Sequence, residues 1–343
     1  MTMTRTTTLI GILLLIATTA GFACDYCMLT QGISPLETAR GKGLRIDQRY
    51  ARLATLFDHG TRIRNHDELE THWTTQITGF YSLTPRLTLI ATVPIVRRFE
   101  RESEAGGHHG GAEHPISGGG ILREGAFSSH LTGGIFHEEG GTGGSVFGLS
   151  DIALVGRYQV LARHTLTSTL VAAVQAGVRL PTGQTDARNG EGEFLGAHAQ
   201  PGTGAFTYLI GGSFSYAVKR ISIVANALAG FPTEGKAGDD RYEYGNNLNY
   251  DVALRYRLSG SLQARANLFG AVGIAGEYRK HELRNGEKVE GTGGHTVYVT
   301  PGVQLFYRPF IFEFSFWQPI VHDLDGRQLG ETFKTFGGIT FLF

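Results

Sequence analysis

The chain closes on Thr332-Phe333-Lys334-Thr335-Phe336-Gly337-Gly338-Ile339-Thr340-Phe341-Leu342-Phe343, and this stretch decides the fold. Side chains of a strand point to alternate faces. Phe333, Thr335, Gly337, Ile339, Phe341 and Phe343 therefore share one face, and Lys334, Phe336, Gly338, Thr340 and Leu342 the other. An aromatic, apolar face running to a terminal phenylalanine is a poor chain end for a water-soluble domain, whose termini tend to fray into solvent. It suits the closing strand of a barrel whose outer face meets lipid.

Working outward, the chain repeats one module of strand, very short turn, strand and longer polar loop. The turns fall at Leu83-Thr84-Pro85, Ala162-Arg163-His164, Lys219-Arg220, Ser259-Gly260-Ser261 and Arg308-Pro309. The long loops fall at Asp58–Glu68, Arg101–Phe147, Pro181–Gly202, Pro232–Tyr244, Arg279–Gly294 and Val321–Glu331. The pattern predicts an all-β, transmembrane, antiparallel up-and-down barrel of about twelve strands, with short periplasmic turns and long extracellular loops. Tyr81, Tyr158, Tyr216, Tyr256 and Tyr307 each stand in a strand entering a short turn, and Phe343 holds the same level in the last strand. They are expected to form an interfacial girdle, the ring bodies in lipid and the hydroxyls towards water.

Composition agrees. The formal net charge is zero, 18% of residues are charged, and 49 of 343 are glycine. No charge imbalance points to nucleic acid. Mean hydropathy is −0.09, because each lipid-facing residue of a barrel strand is diluted by a lumen-facing one. Residues 1–23 read as a secretory signal: Arg5, the apolar run Leu9–Ala17, then Gly21-Phe22-Ala23 as the cleavage site. Residues 24–42 form a periplasmic N-terminal segment, and 43–343 the barrel, in the outer membrane of a Gram-negative bacterium. The expected partners are the lipid bilayer, the barrel-assembly machinery and a small-molecule solute.

Cys24 and Cys27 make a C-x-x-C followed by Met28, not the His that haem attachment requires. They read as a local disulfide or a pair of free thiols, with lipidation of Cys24 a further option. The loop 101–147 is rich in Gly and His, and His108, His109 and His114 are candidate metal ligands. They leave open a metal-capturing protein of the outer membrane.

The inward faces hold Arg45, Asp47, Arg49, Asp151, Arg157, Arg179, Asn249, Asp251, Arg255, Arg257, Arg265, Asn267 and Glu313. Seven arginines face four acids, which predicts either a mildly basic, anion-favouring lumen or charges that pair and brace the wall. A three-residue turn at Ser259-Gly260-Ser261 sets Arg255 opposite Arg265. Arg255, Arg257 and Arg265, with Asp251 and Glu313 nearby, then form the expected selective patch, and Arg157 and Arg179 extend it. No histidine has Ser two positions later, and the pairs His66-Asp67 and His322-Asp323 point apart along a strand. An outer-membrane enzyme is the weaker alternative, and no cofactor is expected.

Gly148-Leu149-Ser150-Asp151, Gly177-Val178-Arg179-Leu180-Pro181-Thr182-Gly183 and Gly202-Thr203-Gly204 resemble an outer-membrane transporter family named for the meta pathway of phenol degradation. The resemblance spans about Leu149 to Phe343. It implies a β-barrel that passes small organic solutes and carries no catalytic residue.

Overall fold

The computed structural model of the protein describes residues 41–101, 143–188, 192, 194–260 and 264–343. Its strands, numbered here along the chain, are β1 (Lys42–Asp58), β2 (Leu69–Ser82), β3 (Leu87–Arg101), β4 (Gly143–Leu149 and Ala153–His164), β5 (Ser168–Arg179) and β6 (Thr207–Val218). They continue with β7 (Ile221–Pro232), β8 (Asn247–Ser259), β9 (Ala266–Arg279), β10 (Gly294–Val299 and Gly302–Tyr307), β11 (Phe310–Leu324) and β12 (Arg327–Leu342). Each strand pairs antiparallel with its sequence neighbour, and β1 pairs with β12 from Gly43↔Leu342 to Asp58↔Arg327, so the sheet closes into a twelve-strand barrel. Closure removes both edges, which is what lets strands cross a bilayer. No helix among the described residues is long and apolar enough to cross a membrane.

The seam is finished by the terminal residue. The Phe343 amide donates to the Lys42 carbonyl at 3.1 Å, and the Lys42 ammonium lies over the Phe343 ring. Outward residues of the seam, Leu44, Ile46, Ile339 and Phe341, are exposed, while Arg45, Asp47, Arg49, Lys334 and Thr340 on the opposite face are buried. Tyr81, Tyr158, Tyr216, Tyr256, Tyr307 and Phe343 are all exposed at the short-turn end.

Three features depart from the sequence reading. The loop expected over 101–147 is shorter at its far end, because strand pairing resumes at Gly143 opposite Arg101. The turn expected at 162–164 sits at 165–167, where Thr165 Oγ1 accepts the Thr167 and Ser168 amides. The third departure concerns the arginines. β9 begins only at Ala266, after a longer connection, and a bulge follows Arg257 so that Ser259 faces Leu268. Arg255 therefore pairs with Ala271, and Arg265 lies off the strand. It is exposed, with its guanidinium 6.0 Å from the centre of the outward Tyr307 ring. The expected Arg255–Arg265 opposition does not exist. The register moved by six residues, an even number, so the in/out alternation of β8 survived.

The long loops also build a second sheet that the sequence reading lacks. Short segments Gly235–Ala237, Asp240–Glu243, Leu283–Arg284 and Glu287–Lys288 pair into four strands at the long-loop end. Their small core is Ala197, Tyr242 and Tyr244, with Ala237 and Val289 against it.

Candidate functional site: the lumen and its mouth

The inward faces of twelve strands make one continuous interior, and its chemistry changes around the wall. On one side Phe80, Ile90, Ala153, Val155, Leu209 and Leu228 form an apolar band with Leu342 against it. Glycine makes the band possible at Gly177, which lies opposite both Val155 and Leu209; a Cβ there would sit 2.8 Å from the Val155 Cα.

Across the lumen the wall is charged. The Arg45 guanidinium bonds the Asp47 carboxylate at 2.6 Å and also bonds Glu313. Gln304 donates to Glu313 at 2.9 Å, and Asn226 donates to Asp251 at 3.1 Å. Arg45, Asp47, Asp251, Glu313 and Arg255 line a cavity of about 50 Å³ together with Phe314, Trp317 and Phe336. Of the residues expected to form the selective patch, Asp251, Arg255 and Glu313 thus come together. Arg257 does not join them, because its Nη2 donates to the Lys219 carbonyl at 2.7 Å and braces the adjoining turn. Arg157 points inward, its Nη2 3.5 Å from Ser213 Oγ, and Arg179 is buried at the inner face of β5.

The sequence reading missed a second ionic cluster. Lys334 and Glu277 are fully buried, their Nζ and Oε2 2.5 Å apart, and Glu331 lies 3.1 Å from the same ammonium. Tyr298 donates to Glu277 at 3.2 Å and lies beneath Lys334, 4.7 Å from its nitrogen to the ring centre. Trp317 packs on Tyr298 and Phe336 at 5.4 and 4.8 Å between ring centres. Strand β9 is thereby tied to β12 over the aromatic inner faces of β10 and β11. Lys334 had been visible as an inward cation at the chain end, but its acids lie 57 and three positions away.

The long-loop end opens into a vestibule of about 1230 Å³ bounded by β1, β2, β3, the β9–β10 loop and the β11–β12 connection. Asp58, Glu68, Glu70, Glu100, Glu290 and Asp325 line it against Arg101, Lys288 and Arg327. Arg327 is paired with Glu68 at 2.5 Å, so the remaining lining leans acidic.

The segments that carry the family resemblance converge on Asp151. Its carboxylate accepts the Gly183 amide at 2.9 Å, the Thr203 amide at 2.9 Å and the Thr203 hydroxyl at 2.5 Å. Thr182 Oγ1 accepts the Ile152 amide at 2.9 Å. Gly183 and Gly202 touch backbone to backbone; a Cβ on Gly202 would lie 2.5 Å from the Gly183 carbonyl carbon. The break in β4 at Ser150–Ile152 is thus a clip that fastens both ends of the β5–β6 loop to the wall. Its role is positional, which the bare motif did not disclose.

Cys24, Cys27, His108, His109 and His114 lie outside the described residues. Among the described residues no group of three or more His, Cys, Asp or Glu side chains is disposed to hold a metal ion. His322 stacks on Phe57 at 4.5 Å, whereas Asp323 beside it is exposed.

A closed antiparallel barrel with exposed aromatics at one rim and buried charges inside is an outer-membrane β-barrel. The chain belongs to the family described as "Putative MetA-pathway of phenol degradation", whose model matches residues 86–319. Among solved structures, an outer membrane channel from Pseudomonas putida F1 superposes with a TM-score of 0.64 at 11% identity, over 91% of this chain and 100% of that one. The CymD monoaromatic hydrocarbon channel gives 0.40 at 10% identity over 95% of both chains. The translocator domain of the autotransporter NalP from Neisseria meningitidis gives 0.39 at 11%, over 91% and 92%. The first of these shares the fold; the other two superpose loosely. No curated protein matches the sequence.

Proposed function

We propose that the protein is an outer-membrane channel for small, uncharged organic solutes, aromatic ones foremost. The observation that carries this reading is the matching of opposite charges inside the barrel. The vestibule leans acidic, and in the cavity beyond it Arg45 and Arg255 stand beside Asp47, Asp251 and Glu313, so neither sign goes unopposed there. Constrictions lined by one sign of charge discriminate by sign, and one lined by paired charges of both signs favours neither ion. The inner charges are largely matched in place, Arg45 by Asp47 and Glu313, Lys334 by Glu277 and Glu331. An uncharged ring is opposed at neither level and gains contact with Trp317 and Phe336 of the cavity wall, since aromatic pairs contribute roughly 0.5–1.5 kcal/mol beyond burial. The family description supports the same solute class. Delivery to the outer membrane by a cleaved signal over residues 1–23 and assembly by the barrel-assembly machinery belong to the same proposal.

Reversal potentials in planar bilayers test it. The wild-type protein in a salt gradient is expected to show a reversal potential close to zero. Arg255→Gln should shift it towards cation preference, because it removes one positive charge from a cavity that keeps Asp47, Asp251 and Glu313. Strong anion selectivity in the wild type, abolished by Arg255→Gln, would restore the anion-favouring lumen in place of this reading.

A further inference from the structure

The β5–β6 loop leaves the wall between two neighbouring strands, yet residue 198 touches both sides of the barrel. The His198 carbonyl accepts a hydrogen bond from Arg98 of β3, and the same guanidinium nitrogen donates to the Gln200 carbonyl at 2.9 Å. The His198 imidazole reaches the other way, its Nε2 3.0 Å from Oε2 of Glu282, just past the end of β9. In a ring of twelve strands β3 and β9 stand six apart, which is diametrically opposite. One residue therefore joins opposite rims of the mouth.

The strut is stiffly held. Gln200 exchanges hydrogen bonds with Ala187 at 2.8 and 3.0 Å and donates to Leu195 at 2.9 Å. Tyr244 donates to the Ala197 carbonyl at 2.9 Å. The acidic vestibule occupies the part of the mouth bounded by β1–β3, the β9–β10 loop and the β11–β12 connection, and the β5–β6 loop rises from the other side of the ring.

We propose that His198 is the keystone of a pH-sensitive strut that sets the width of the channel mouth. This rests on the channel reading above. Glu282 is fully buried and is the anchor: it accepts from Arg279 at 2.9 Å and from the Tyr242 hydroxyl as well as facing His198. Burial pushes the Glu282 carboxyl up, but His198, Arg279 and Tyr242 outweigh it and hold it at about 2, so it stays ionised. His198, whose side chain is half exposed, is raised above the ordinary imidazole value, first by Glu282; partial desolvation and Arg279 oppose this, and Glu70 adds to it. From the opposite rim it also faces His72, which pairs with Glu70 at 3.4 Å, and Arg98. From the second sheet it faces Tyr244 edge-on.

The sign follows. A group whose folded pKa is raised contributes stability below its unfolded value and loses it as pH rises through the folded one. Protonated His198 makes a charge-assisted bond to Glu282; the neutral imidazole keeps at most the weaker neutral one. The mouth is narrow when His198 is protonated and widens as pH climbs above the ordinary imidazole value of 6.5.

Single-channel recording between pH 5 and pH 8, roughly the range in which the imidazole is the side chain whose ordinary pKa brings a change of charge, combined with NMR titration of the His198 ring, tests this. Wild-type conductance should rise with pH. His198→Gln and Glu282→Gln should conduct at all pH values as the wild type does at high pH, a loss of the pH dependence. Glu282→Gln should also lower the titration midpoint of His198. An unchanged midpoint overturns the strut whatever the currents show, and so does a shifted midpoint with wild-type conductance that ignores pH. Absence of current from every variant at every pH overturns the channel reading, and the mouth proposal with it.

Discussion

Replacing Asp151 by alanine is expected to unfasten the β5–β6 loop while leaving the barrel closed. The carboxylate is buried and receives two backbone amides and one hydroxyl from Gly183 and Thr203, on both stems of that loop. Hydrogen bonds to a charged acceptor contribute about 1.5–3 kcal/mol each, and donors left behind without a partner cost more than the average bond suggests. Some of that loss is recovered by water at the rim, which leaves a net cost on the order of 4 kcal/mol. The barrel ladder itself does not depend on Asp151, since β4 pairs with β3 on both sides of its break and with β5 after it. Brief proteolysis of folded protein should therefore cut Asp151→Ala within 184–202 and spare the wild type. Asp151→Asn, which keeps one carbonyl acceptor, should fall between them. Equal resistance in all three would show that the clip is held by the backbone contact of Gly183 with Gly202 alone.

Lys334→Ala should act on the barrel instead. It strands Glu277 and Glu331, both fully shielded, on the inner wall. Removing one partner of a buried ion pair costs about 3–5 kcal/mol, because the remaining charge has neither water nor counter-ion. The expected readout is a lower temperature for the shift from folded to unfolded mobility in detergent electrophoresis. Adding Glu277→Gln and Glu331→Gln to Lys334→Met should recover much of the loss, since replacing a buried ion cluster by uncharged groups of similar volume is often neutral. A single variant as heat-resistant as the wild type would mean that the cluster is solvated in the membrane and contributes little.

Much of this fold is written in the sequence because a barrel strand has a period of two and a nearly fixed length. Leu44, Ile46, Tyr81, Tyr158, Tyr256 and Phe343 face outward and Arg45, Asp47, Arg49 and Arg157 inward, as alternation alone requires. Register is a different matter. Local turn rules place Arg265 opposite Arg255, but the β8–β9 connection is longer than three residues and a bulge follows Arg257, neither of which alternation can detect. Parity survives such a shift while partnership does not. That is why single-residue facing was legible and the arginine pair was not.

The remainder of the site was hidden because it is assembled across loops. Asp151, Gly183 and Thr203 stood out as a pattern, but nothing in one sequence says that an acid in a strand break accepts amides 32 and 52 positions later. His198 lies in an Ala- and Gly-rich stretch with no motif around it. Its partners, Arg98 and Glu282, belong to opposite strands of the ring. The four-strand sheet of the outer loops pairs segments of two to four residues, too short for any periodicity to show.

The central claim is that charge cancels along the path, so that an uncharged aromatic solute passes where its charged counterparts do not. Liposome swelling with purified protein tests this most directly, using one aromatic scaffold with a hydroxymethyl, a carboxylate or an ammonium group. The uncharged alcohol should swell protein-containing liposomes faster than protein-free ones and faster than either ion. Faster swelling with the carboxylate than with the alcohol would contradict the account and return the lumen to an anion channel.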